Sequence, residues 1–136
     1  MEKQNKFKII IPSYNNVEWV EYNLASILNQ TYTKYEVIYI DDASTDETYK
    51  QVMSHVGDLP NWTIIRNSEN KGAMYNYFHN LEDYVKDDSE IVIHLDGDDW
   101  FYDEMALESL NKFYNEKDCW MTYGGFIVWN GHEAEP

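Results

Sequence analysis

Four short apolar runs punctuate this chain, and each is followed by a stretch whose apolar residues recur at helical spacing. The runs, at 7–11, 35–40, 62–66 and 91–95, are rich in isoleucine, valine and tyrosine and have the length of buried strands. Between them, Val17, Val20, Leu24, Ile27 and Leu28 mark a helix ending at Asn29. Ser44 and Glu47 form a capping-box pattern that opens a second helix through about His55. Residues 73–85 place Tyr77, Leu81 and Tyr84 on one side of a third, and a fourth runs from Asp103, its expected cap, to about Asn115. Alternation of this kind requires right-handed crossovers between parallel strands. The expected fold is α/β: a Rossmann-like, mostly parallel sheet with helices on both faces. Pro12 is expected to stop the first strand, since proline donates no ladder hydrogen bond. Residues 120–129 read as a further strand broken by Gly124-Gly125.

At 136 residues the chain is one domain's length, 1–136, with no internal repeat or linker. Its formal charge is −15 and Arg66 is its only arginine, which argues against a nucleic-acid partner. An acidic chain can still hold an anionic ligand when a cation bridges the two. Cys119 stands alone, so neither an internal disulfide nor a cysteine-rich zinc site is expected. The N-terminal residues lack the apolar core of a signal peptide, and no stretch approaches the ~18 apolar residues of a membrane span. A soluble protein of a reducing, cytoplasmic compartment is the expectation.

In an open parallel sheet, the loops after the strands gather along one edge and bind ligands there. Here those loops carry Ser13-Tyr14-Asn15, Asp41-Asp42, Asn70-Lys71-Gly72 and Asp96-Gly97-Asp98-Asp99. Neither the glycine pattern of a dinucleotide fold nor that of a phosphate-cradling P-loop is present. Three carboxylates at a strand end suit a hard divalent cation that shares its shell with phosphates. If the strand stays extended through Gly97, Asp96 and Asp98 lie on one face, and the glycine admits a phosphate close to the backbone. The plainer reading of the same residues is a solvated turn and helix cap. A calcium loop lacks its required glycine and terminal glutamate, and the aspartate-based phosphotransfer folds place acids after the first strand, where this chain has Pro12-Ser13-Tyr14.

Five segments in order, Ile9-Ile10-Ile11-Pro12-Ser13-Tyr14-Asn15, Ser26-Ile27-Leu28-Asn29-Gln30-Thr31-Tyr32, the stretch Tyr35-Glu36-Val37-Ile38-Tyr39-Ile40-Asp41-Asp42-Ala43-Ser44-Thr45-Asp46, Asn70-Lys71-Gly72 and Leu95-Asp96-Gly97-Asp98-Asp99-Trp100, resemble the amino-terminal half of family 2 glycosyltransferases of the GT-A fold. The resemblance runs from Phe7 to about Gly125. It implies a UDP-sugar donor, Mn²⁺ or Mg²⁺, and inverting transfer to an acceptor hydroxyl on a glycan, lipid or protein. By the same resemblance Asp42 accepts a hydrogen bond from the uracil imide, Tyr14 packs on the base, and Pro12 and Ser13 offer it backbone groups. Asp96 holds a ribose hydroxyl or reaches the metal, Asp98 binds the metal directly, and Lys71 meets phosphate or sugar. Asp99 orients its neighbours or contacts the sugar, and is a candidate catalytic carboxylate. Family members carry their base in an acidic motif on a later segment, and nothing after Gly125 matches it. His132 and Glu133 offer a substitute base or a third metal ligand, against the reading of a solvated tail. Two outcomes therefore stay open: a transferase, or a nucleotide-sugar-binding module that needs a partner for catalysis.

Overall fold

The computed structural model describes residues 3–129 and 131, and the backbone of 134 and 135. Its elements in chain order are β1 (Phe7–Ser13), α1 (Val20–Leu28), β2 (Tyr35–Asp41), α2 (Thr48–Val56), β3 (Trp62–Arg66), α3 (Ala73–Tyr84), β4 (Ile91–His94), α4 (Ala106–Glu116), β5 (Val128–Trp129) and β6 (Ala134–Glu135). The first four strands form one parallel sheet in the order β3-β2-β1-β4.

Side chains alternate across β1, and both of its faces are buried. Phe7, Ile9 and Ile11 pack with Val20, Leu24 and Ile27 of α1, Val52 and Val56 of α2, and Leu107 of α4. On the opposite face Ile10, Ile38 and Ile40 pack against Tyr77, Leu81 and Tyr84 of α3. Helices thus cover both faces, as the alternation predicts. Fully burying one such aliphatic side chain is worth about 1.5–3 kcal/mol, so the central strands contribute much of the driving force. No helix among the described residues is long and apolar enough to cross a membrane.

Several local expectations give way. Pro12 does not end β1, which runs on through Ser13 with Pro12 opposite Ile40. The even-numbered carbonyls of β1 face β4: Ile10 accepts from Leu95 N–H and Pro12 from Gly97 N–H. An amide hydrogen at position 12 would point the same way, and the β4 ladder has already ended at His94, opposite Ile10. The missing donor therefore costs no ladder bond. The capping box of Ser44 and Glu47 does not form either. Ser44 Oγ accepts from Asn15 N–H, Glu47 pairs with Lys50 at 2.7 Å, and Asp46 Oδ1 instead accepts from Thr48 N–H at 2.9 Å. α1 starts at Val20 rather than Val17, whose N–H is held by Asp46, and Leu28 is exposed rather than packed.

Asp103 caps a turn ahead of α4 rather than the helix, its Oδ1 accepting from Met105 N–H. The α4 end is capped from elsewhere: Gln30 Oε1 accepts from Leu107 N–H at 2.9 Å. Of the strand expected at 120–129, only Val128–Trp129 pairs, antiparallel with Ala134–Glu135 and outside the main sheet. The apolar side chains of Trp120, Tyr123 and Phe126 lie exposed. Strand propensity favours a pleated, half-buried surface, and it makes no strand without a neighbour to pair with.

Candidate functional site

The strand ends are stitched to one another before any ligand is considered. Ser13 lies at their centre, buried, its carbonyl accepting from Asp42 N–H at 2.8 Å. Its Oγ accepts from Tyr39 O–H at 2.9 Å and Asn16 Nδ2 at 3.0 Å. Burial pushes the Tyr39 hydroxyl up to about 12; Ser13 opposes that shift, while the charges of Asp41, Asp46 and Asp98 add to it, so Tyr39 is a neutral donor at physiological pH. Asn15 (φ 51°) and Ala43 (φ 61°) both occupy the left-handed region. Asn15 Oδ1 accepts from Thr45 N–H, so the β1 and β2 loops interlock through these two bends. Tyr14 leaves this turn 46% exposed, its ring available at the rim.

Asp42 is buried, and the chain itself surrounds its carboxylate. Oδ1 accepts from Asn67 Nδ2 (2.8 Å) and Lys71 N–H (2.9 Å), and Oδ2 from Gly72 N–H (2.8 Å). The last two amides immediately precede α3, so the anion sits at a helix N-terminus, where the helix dipole favours it. Burial works against the charged form, yet the hydrogen bonds from Asn67, Lys71, Asn76 and Gly72 outweigh it and hold the carboxyl below its usual range. The Lys71 ammonium lies over the Tyr75 ring at 5.1 Å. Asp41, fully buried next door, pairs with Arg66 at 3.4 Å.

The acidic segment is a turn and not a continuation of β4. Asp99 N–H closes onto Asp96 C=O at 3.0 Å, while Gly97 N–H reaches Pro12 C=O at 3.1 Å. Asp96 and Asp98 therefore do not share a strand face, contrary to the alternation expected of them. Gly97 also serves a different purpose from the one expected. A Cβ there would meet Ser13 Oγ at 2.5 Å and Asn16 Nδ2 at 2.8 Å, so the space is filled by the end of β1 and not by a ligand. Of the backbone groups of Pro12 and Ser13, expected to be offered to a base, the two carbonyls accept from Gly97 N–H and Asp42 N–H.

Asp96 Oδ1 lies 3.0 Å from His94 Nε2, and the His94 ring stacks on Tyr77 with centroids 4.4 Å apart. Asp98 and Asp99 are exposed. Partial burial, then the charges of Asp98 and Asp96, push the Asp99 carboxyl up, against the pull of His94. Mutual repulsion of that kind is what a divalent cation relieves, and carboxylate oxygens are its preferred donors. The residues fit such an ion, although among the described residues no three His, Cys, Asp or Glu side chains form a cage of their own. Asp98 and Asp96 would supply part of a shell, with phosphate oxygens and water supplying the rest. Glu133, with His132, lies outside the described residues.

Asn67, His94 and Asn23 escape a reading of the strand ends alone. Asn23 donates from Nδ2 to the carbonyls of Asp96 (3.2 Å) and Asp99 (2.7 Å). Its signal in the sequence is a polar residue inside the apolar repeat Val20, Leu24, Ile27. Trp100, following the turn, stacks on Tyr22 and Trp19 of the α1 entrance, at 5.2 and 6.0 Å between centroids.

Comparison with known proteins bears on the family and the fold. The chain is 32% identical over 127 residues to the poly(ribitol-phosphate) β-N-acetylglucosaminyltransferase TarP of Staphylococcus aureus, covering 90% of this chain and 37% of TarP. Its fold matches S. aureus TarS in complex with UDP-GlcNAc (TM-score 0.70, 26% identity, 82% of this chain and 31% of that one). It also matches the mannosyltransferase PcManGT of Pyrobaculum calidifontis in complex with GDP-Man and Mn²⁺ (TM-score 0.69, 25% identity, 80% and 32%). The chain thus spans about a third of the length of these relatives. The sequence pattern of glycosyl transferase family 2 matches residues 8–135. With a parallel GT-A sheet beneath it and that pattern along nearly its whole length, the chain belongs to glycosyl transferase family 2.

Proposed function

We propose that this chain is the donor-binding part of a metal-dependent glycosyltransferase that uses a UDP-sugar and transfers its hexose, with inversion, to an acceptor hydroxyl of a glycan, lipid or protein. The observation that carries the reading is the coupling of Asp42 and the acidic turn through β1: Ser13 C=O holds Asp42 and Pro12 C=O holds Gly97. A base-reading carboxylate and a carboxylate turn are thereby kept at a fixed separation along one edge.

Asn67, Lys71 and Gly72 donate to Asp42 with Asn76 beside it, and this oriented carboxylate is the acceptor for the imide N–H of uracil. Tyr14 offers its exposed ring to the base. Asp96 and Asp98 hold Mn²⁺ or Mg²⁺, Asp96 sharing itself with a ribose hydroxyl, and Lys71 meets phosphate or sugar. When bound, the cation neutralises charge on the departing diphosphate. The acceptor oxygen bonds to the anomeric carbon as the bond to the diphosphate oxygen breaks, and a carboxylate takes the acceptor's proton. Asp99, whose carboxyl is raised, is one candidate base and Glu133 the other. The bound nucleotides of TarS and PcManGT support a nucleotide-sugar donor, and the Mn²⁺ of PcManGT supports a metal.

The test is release of nucleoside diphosphate from a panel of nucleotide sugars with Mn²⁺, Mg²⁺ or EDTA. Release from a UDP-sugar, abolished by EDTA and by Asp98→Ala, is the expected result. Turnover retained by Asp98→Ala would remove the metal assignment. Binding of UDP with Mn²⁺ and no release from any donor would make the chain a binding module.

A further inference from the structure

The acidic turn is held by a residue that belongs neither to it nor to its strand. Asn23, one turn into α1 and fully buried, sends both amide hydrogens to Asp96 and Asp99, the first and last residues of the turn. The Asp96 carbonyl also takes the Asp99 N–H, so three polar groups converge where the turn closes. This arrangement leaves Asn23 Oδ1 buried without a hydrogen-bond partner. Burying an amide oxygen unpaired is unfavourable, and an apolar side chain would suit a position between Val20, Leu24 and Ile27. Local violations of this sort concentrate where function is served. Among the described residues no other side chain bonds the backbone carbonyls of the turn, whereas Ser26 of α1 and Gln30, just past its end, hold Phe101 and Leu107, beyond it.

We infer that Asn23 is a positioning residue for the acidic turn: it fixes the turn closed before a cation arrives, so that Asp96 and Asp98 are presented in one arrangement. This inference rests on the metal-dependent reading above. Neighbours that orient ligands in this way typically alter metal affinity by roughly 10–100-fold when removed. A flexible turn would have to be ordered by the ion itself, which would lower the observed affinity.

The experiment uses the whole 136-residue chain and compares wild type, Asn23→Leu and Ser26→Ala. Ser26→Ala removes the bond from Phe101 N–H and the Ser26 hydroxyl's own bond to the Asn23 carbonyl, and leaves both Asn23 Nδ2 bonds to the turn in place. Three quantities are read: hydrogen-exchange protection of the Asp99 amide without metal, Mn²⁺ affinity by electron paramagnetic resonance, and the urea midpoint. Asn23→Leu should lose Asp99 protection and at least roughly tenfold in Mn²⁺ affinity, while Ser26→Ala keeps both whatever its urea midpoint. Where Asn23→Leu does not fold, Asn23→Ser, too short to span both carbonyls, should show the same two losses. Wild-type protection and affinity in the Asn23 variants would overturn the inference, as would equal losses in Ser26→Ala. If wild type binds no Mn²⁺, the metal reading fails by itself, and the Asp99 amide still decides whether Asn23 closes the turn.

Discussion

Gly97 and Ser13 touch so closely that a single added carbon at position 97 would lie 2.5 Å from the Ser13 hydroxyl oxygen and 2.6 Å from its Cβ. Ser13 is itself fixed by Tyr39 and Asn16, and so has nowhere to retreat. Gly97→Ala is therefore expected to destabilise the fold by about 1–3 kcal/mol, the usual cost of overpacking. Denaturant unfolding measures this, and an unchanged midpoint would show that the end of β1 yields. Gly97→Ala with Ser13→Gly should recover part of the loss, because the clash is mutual.

Acid should cost this site stability as its depressed carboxyls take up protons. The carboxyls of Asp42 and Asp46 are both held below their usual range, Asp42 by the α3 loop and Asp46 by Thr48 and Val17 once the opposing effect of burial is overcome. A depressed folded-state value gives stability that is full above the unfolded value of ~3.9 and lost as pH falls through the folded one. The urea midpoint should hold from pH 7 to about 5 and decline below about 4. Asp42→Asn should lower the plateau and flatten the decline, since an amide cannot accept from all three donors. A decline as steep as wild type in that variant would remove Asp42 from the account.

Ala43 occupies a conformation that costs an L-residue roughly 1–2 kcal/mol. Glycine adopts it freely but loses about 0.4–1 kcal/mol through the unfolded chain. Ala43→Gly should thus leave stability equal or raise it by up to about 1.6 kcal/mol. Thermal unfolding checks this, and a marked drop would mean the methyl group contributes contacts that outweigh the strain.

Gln30 joins three carbonyl or amide groups: Nε2 donates to Ser26 and Asp103 C=O, and Oε1 accepts from Leu107 N–H. Gln30→Ala should cost about 1–2 kcal/mol, as loss of a helix cap does. The loss should concentrate in α4, read as faster amide exchange at Leu107, with β2 and β3 unchanged.

Much of the architecture could be read from periodicity, because burial imposes it. β3 lies at 62–66 as expected, and α3 begins at Ala73 where the polar loop ends. Where the reading failed, the deciding partner was distant in the chain. Whether Pro12 ends a strand depends on where β4 stops, and whether Ser44 caps α2 depends on Asn15 reaching it first. The alternation of Asp96 and Asp98 assumed an extended chain, but Gly97 N–H finds Pro12 and bends the chain into a turn. Asp42 was legible as a polar strand end, while Asn67 and the Lys71 and Gly72 amides around it come from a loop with no periodic signal.

Asn23 and Ser26 project from α1 three residues apart, Gln30 follows just beyond its end, and each grips a later point on the segment from Asp96 to Leu107. The helix thereby acts as a ruler. Three residues at ~1.5 Å of rise set a gauge of about 4.5 Å between the grip on the acidic turn and the grip on Phe101. One residue inserted in α1 between Asn23 and Ser26 would turn Ser26 by ~100° around the axis and leave the two marks out of phase. Length within α1 is therefore as tightly constrained as identity, although the helix offers no group of its own to the chemistry.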